Sequence, residues 1–211
     1  MNDFSVSMAL VDYVPVIFFA LASAILVRDL YSKMEKGAFA LFSAGVIDVT
    51  IAGVLKATWK LLYALGACDF TALNAMFFPV QSIGFLLAGI GILIMLMGKP
   101  SKKTFLSVAP PVFSGTFVFV GLMVAGLGIM DAILCIIAAK LKKPGYIAIF
   151  VLSFVCSLCM GYLSSKNFAE SAMNWIAEGT NVVGQGSLLV GVYLLHKGGL
   201  KDVQLHEGVN A

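Results

Sequence analysis

Residues 73–97 read LNAMFFPVQSIGFLLAGIGILIMLM (Leu73–Met97), and this stretch decides the class of fold. It contains no Asp, Glu, Lys or Arg. As a helix rising 1.5 Å per residue, it is long enough to cross the ~30 Å hydrocarbon core of a bilayer. It ends at GKPSKK (Gly98–Lys103), where glycine, proline and lysines stop a helix.

The pattern recurs on both sides. Upstream, one apolar run extends from Met8 to Val27 and stops at Arg28-Asp29. A second starts near Ala38 and fades between Lys56 and Leu65. Downstream, Thr104–Pro111 is apolar but broken by Pro110-Pro111, which suggests a short interfacial piece. A tilted span follows over about Val112–Ala139 and stops at KLKKPG (Lys140–Gly145). A fifth run covers Tyr146–Leu163. A sixth covers Asn174–Leu195, before a polar tail at 198–211. The expected fold is an all-α, polytopic integral membrane bundle of about six transmembrane helices. Residues 1–103 form one three-span half and 104–197 the other.

Composition agrees. Of the 211 residues, 60% are hydrophobic and 12% charged, where a soluble domain carries about 25% charged. The mean hydropathy is +0.99. The main partner is therefore the lipid bilayer, and the expected location is a plasma membrane of bacterial type, crossed several times. The net charge of +3 is scattered and forms no basic stripe, which argues against nucleic acid as a partner. Ala22-Ser23-Ala24 has the small-residue pattern of a signal cleavage site. Residues 1–7 carry no Lys or Arg, however, so the first run reads as a retained span. Basic residues divide almost evenly between the two faces if every connection returns to the next span, with a slight lean to an outside N-terminus. A homo-oligomer is compatible with this composition.

Residues 71–98 match 171–198 at a fixed offset. Ala72/Ala172, Asn74/Asn174, Gly84/Gly184, Gly91/Gly191 and Gly98/Gly198 are identical. GAFALF (Gly37–Phe42) pairs with GYIAIF (Gly145–Phe150) and sets the second span on the fifth. Three spans per copy is an odd number, so the expected arrangement is a 3+3 inverted repeat of the kind that builds many transporters. The repeated glycines read as close-packing positions, with the third and sixth spans crossing near the dyad.

A charged group at mid-span costs at least about 2.5–3.5 kcal/mol, so each one faces protein, a cavity or an interface. Asp48, Lys56 and Lys60 are spaced to share a face of the second span. Lys60 is nearest the helix end, where an ammonium snorkels to headgroups. Asp131 sits in the fourth span. In the third and sixth spans, Asn74 with Gln81 and Asn174 with Asn181 bracket helix breakers at matching positions, Pro79 and Gly179. Broken helices expose backbone groups that are tolerated only beside protein or a cavity. Glu178 and Gln185 lie on the same segment. Lys56 or Lys60 is the natural partner of Glu178, which also suits the protonatable role in a coupled carrier.

The candidate solute- or ion-binding residues are therefore Asp48, Lys56, Asn74, Gln81, Asp131, Asn174, Glu178, Asn181 and Gln185. Cys156-Ser-Leu-Cys159, with Cys135, reads as packing, and no metal or cofactor is implied. The reading is a small transporter or channel for a polar or ionic solute, proton- or cation-coupled. Its site lies between span two and the broken third helices of each half. An intramembrane enzyme on a lipid-like substrate and a non-catalytic subunit or receptor also fit the residues.

Overall fold

The computed structural model describes residues 5–98, 116–163 and 171–205, and these contain helices and turns but no strand. Helix α1 (Val6–Val11) is capped by Ser5, whose hydroxyl accepts the Met8 N–H at 3.2 Å. It meets α2 (Tyr13–Leu30) at Asp12. There follow α3 (Lys36–Ala64), α4 (Thr71–Met97), α5 (Thr116–Lys140), α6 (Gly145–Leu163) and α7 (Ser171–Lys197). The protein is a helical membrane bundle. Five spans, the first running through α1 and α2, are long and apolar enough to cross a bilayer. Helix α7 is as long but more polar. Its outer face carries Ile176, Val183, Val190 and Tyr193, while Asn174 and Glu178 are buried, so its polar stripe faces the bundle.

The helices form a ring in chain order. Each packs on its neighbours in sequence, and α7 closes the ring against α2. Directions follow from the contacts. Tyr13 meets Thr58 and Gly53 lies on Val16, so α2 and α3 are antiparallel. Phe18 lies beside Gly186, and Asp29 bonds His196, so α2 and α7 are parallel. Gly128 meets Phe154, and Gly161 meets Val120, so α5 and α6 are antiparallel. Helices α2, α4, α5 and α7 thus run one way, and α3 and α6 the other.

This corrects the inverted repeat. The two triads, α2–α4 and α5–α7, enter in the same sense. The inversion assumed that spans three and four are joined on one face. Met97 ends α4 at the opposite end of the bundle from Thr116, where α5 begins. The boundary at 103/104 and the interfacial piece at 104–111 lie outside the described residues.

Several positions matched in sequence make matching contacts in the two triads. Gly84 packs on Gly45 and Asp48, and Gly184 on the matching Ser153 and Cys156. Gly91 receives Phe42, and Gly191 receives Phe150. Gly53 meets Val16, and Gly161 meets Val120 and Val124. The two seams between triads differ: on α4–α5, Gly126 lies against the backbone of Phe85 and Leu86, while on α7–α2, Gly186 lies against the Phe18 ring. The glycines do pack helices closely, but α4 and α7 stand on opposite sides of the ring and do not cross. The packing glycines named here serve adjacent helices of the ring, Gly186 across the closing α7–α2 seam.

The helices are also unbroken. Helix α4 continues through Pro79 and α7 through Gly179. Proline removes a single backbone bond near the start of α4, and Gly179 is outward-facing with open space around it. The chain after α7 is not a loose tail as far as it is described. Leu200 and Leu205 are buried, and Lys33 and Lys140 donate to the Val203 and Leu205 carbonyls, each at 2.7 Å.

Candidate functional site

Three helix faces with the same spacing build one cavity. On α3 the face is Val49, Gly53, Lys56 and Lys60. On α4 it is Asn74, Phe78, Gln81 and Phe85. On α7 it is Asn174, Glu178, Asn181 and Gln185. Each set recurs at roughly i, i+4, i+7 and i+11, the spacing of one side of a 3.6-residue helix. The cavity holds about 340 Å³ and is partly open. It lies in the half of the bundle that contains the α1–α2 junction, the end of α3 and the first turns of α4 and α7. From Asn174 down to Gln185 the helix rises about 16 Å, roughly half the hydrocarbon thickness. Below that level the interior is filled by buried Leu26, Ile92, Met130, Leu134, Leu188 and Val192.

Seven of the nine residues expected from sequence line this cavity: Lys56, Asn74, Gln81, Asn174, Glu178, Asn181 and Gln185. Asp48 does not. Each helical residue advances about 100° around the axis, so eight residues place Asp48 about 80° from Lys56 rather than on its face. It lies instead against Gly84 in the α3–α4 seam. Asp131 does not line the cavity either. It sits a turn below Leu127 in the packed interior, 3% exposed, and neither carboxyl oxygen has a hydrogen-bond partner among the described residues.

Two charged residues were missed or misread. Asp12, at the α1–α2 junction, shows in the sequence only as an acid near the start of the first span. Lys60 does not snorkel. It is 4% exposed, with its ammonium 2.7 Å from Oδ2 of Asp12, and it donates to Oε1 of Glu178 at 2.7 Å. Glu178 thus finds the lysine partner that its position suggested, and the bridge ties α7 to α3 and to the α1–α2 junction. Lys56 lies one turn away on the same face of α3. The Lys56 ammonium lies 4.1 Å from the centre of the Phe77 ring and forms no ion pair among the described residues. The rim is fixed by the Trp59 indole, which donates to Asp69 at 2.9 Å, and by Tyr13 and Thr58, whose hydroxyls are 2.9 Å apart.

The cavity has two chemical sides. The charges and most amides come from the α1–α2 junction, α3 and α7. Phe19, Phe77, Phe78 and Phe85 with Met123, Leu127 and Met160 supply an apolar wall. The four cysteines are free, and Cys156 serves as packing against Gly184. Among the described residues no cluster of His, Cys, Asp and Glu is arranged to hold a metal ion. Comparison of the chain with protein-family models, curated proteins and solved structures gives no match.

Proposed function

We propose that the chain is a small membrane carrier for a polar or ionic solute, with the α3–α4–α7 cavity as its binding site. The observation that supports this most is the concentration of polar side chains. In a bundle whose surface is apolar, Lys56, Lys60, Asp12, Glu178 and five amides meet in one chamber that spans half a membrane. Polar groups at such depth are expensive and mark solute or ion pathways in membrane proteins. The packed floor favours a carrier over an open channel, because buried Leu26, Ile92, Met130, Leu134, Leu188 and Val192 fill the bundle beneath the chamber among the described residues. The parallel triads supply two similar bodies whose relative rocking would move the floor, as in carriers built from repeats. Glu178, held by Lys60, is the group best placed to couple solute movement to a proton. The setting is a plasma membrane of bacterial type.

The test is uptake into proteoliposomes, screened with small carboxylates, amines, amides and inorganic ions, with and without a proton gradient. Glu178→Gln and Lys56→Met should each reduce uptake of the accepted solute at least ten-fold while the protein remains folded. Uptake unchanged in both variants would overturn the assignment of the chamber.

A further inference from the structure

The two sides of the chamber define the solute further, if the chamber is the binding site. We infer that its ligand is an amphiphilic organic anion, with a carboxylate-type head and a flat apolar body of about the size of a phenylalkanoate.

The head is set by Lys56. Lys60 touches two carboxylates directly, whereas Lys56 is in direct contact with none among the described residues and lies over the face of Phe77. A cation on a ring face gains a modest attraction, and less than it gains from a carboxylate in the same dry site. An arriving anion supplies the partner that Lys56 lacks. A cationic ligand would compete with Lys60 for Asp12 and Glu178, and would meet Lys56, a second cation, at the Phe77 face.

The body is set by the opposite wall. Phe77 and Phe78 stand at 66° with ring centres 5.1 Å apart, and Phe19 and Phe85 at 72° and 5.5 Å. These two edge-to-face pairs offer ring edges and faces to a flat apolar group. A fully hydrated ion such as acetate or chloride leaves that wall unused. Gln81, between the two pairs on α4, can hydrogen-bond the second carboxylate oxygen, since a side-chain amide donates as well as accepts.

Four probes test this: 3-phenylpropionate, 3-phenylpropylamine, 3-phenylpropanamide and acetate. Each is titrated calorimetrically into the full chain in lipid nanodiscs, with empty nanodiscs as the blank. The expected order places 3-phenylpropionate at least ten-fold tighter than the amine, the amide and acetate. Lys56→Met should remove the preference of acid over amide, and Lys56→Arg should restore most of it. Phe78→Leu should weaken 3-phenylpropionate while leaving acetate unchanged. The inference is overturned if the amine binds as tightly as the acid, if Lys56→Met keeps the acid preference, or if no aromatic probe binds. Failure of the carrier reading is separate. Tight, Lys56-dependent binding of 3-phenylpropionate without uptake into proteoliposomes keeps the ligand class and removes transport. Uptake of small hydrophilic solutes with no gain from the phenyl group does the reverse.

Discussion

Lys60 is the residue on which the interior depends most. Removing one member of a buried ion pair leaves the others uncompensated and costs about 3–5 kcal/mol. Lys60→Met should therefore lower the thermal unfolding midpoint in detergent sharply, since Asp12 and Glu178 would face each other without a counter-charge. Adding Glu178→Gln to Lys60→Met should recover part of that loss. A double variant less stable than Lys60→Met alone would mean that Glu178 has another essential partner. At the same scale, Asp48→Asn and Asp131→Asn should leave probe binding in the chamber unchanged, because neither residue lines it. A ten-fold loss in either would place that residue in the site. Sequence spacing identified most of the chamber because amides and charges are scarce in apolar spans, and their depth alone marks them. It failed at Asp48, where angular drift over eight residues matters, and at Asp12 and Lys60. A charge near a span end reads as interfacial until the helix that covers it is known.

The helices meet through glycine, and the glycines differ in what surrounds them. A β-carbon added at Gly126 would overlap the Phe85 backbone, and one at Gly45 would overlap the Gly84 carbonyl and the Ala88 amide. Backbone cannot yield as a side-chain tip does, so Gly126→Ala and Gly45→Ala should each cost about 1–3 kcal/mol or more, through overpacking. Gly179 has open space around it within α7, and Gly179→Ala should stabilise by about 0.5–1 kcal/mol through helix propensity alone. Unfolding of the three variants in mixed micelles checks the ranking. If Gly126→Ala is neutral, the α4–α5 seam is looser than described here. The glycine register was visible in sequence as matched positions on α4 and α7, but not which neighbour each glycine meets. Matching side chains say that two helices are alike; they do not say that the pair touches. The same limit applies to Pro79 and Gly179. Both are breakers by propensity, yet a single lost bond or one flexible residue is absorbed in a helix otherwise packed along its length.

At the scale of the whole molecule, the parallel triads change how the charge distribution reads. With α5 running in the same direction as α2, Lys140, Lys142 and Lys143 fall at the same end as Arg28, Lys33, Lys36, Lys197 and Lys201. The remaining cations among the described residues, Lys56 and Lys60, lie within the chamber. The near balance found by alternating every connection came from assigning the α5–α6 turn and the end of α7 to the wrong face. Among the described residues the bias is one-sided, and basic loops stay on the cytoplasmic side. Helix α1, the α3–α4 turn and the chamber are therefore expected to face away from the cytoplasm, and on the carrier reading proposed above the chamber would open to the outside. Cys68, exposed in the α3–α4 turn, is a natural reporter of that face. In intact cells expressing a variant with Cys68 as its sole cysteine, a membrane-impermeant maleimide should label Cys68 without permeabilisation. A chain carrying Lys142→Cys as its sole cysteine should be labelled only after permeabilisation. The reverse pattern would turn the protein over in the membrane and place the chamber on the cytoplasmic side. Labelling of both sites from outside would mean that α4 and α5 are joined on one face after all, and the parallel arrangement of the triads would have to be abandoned.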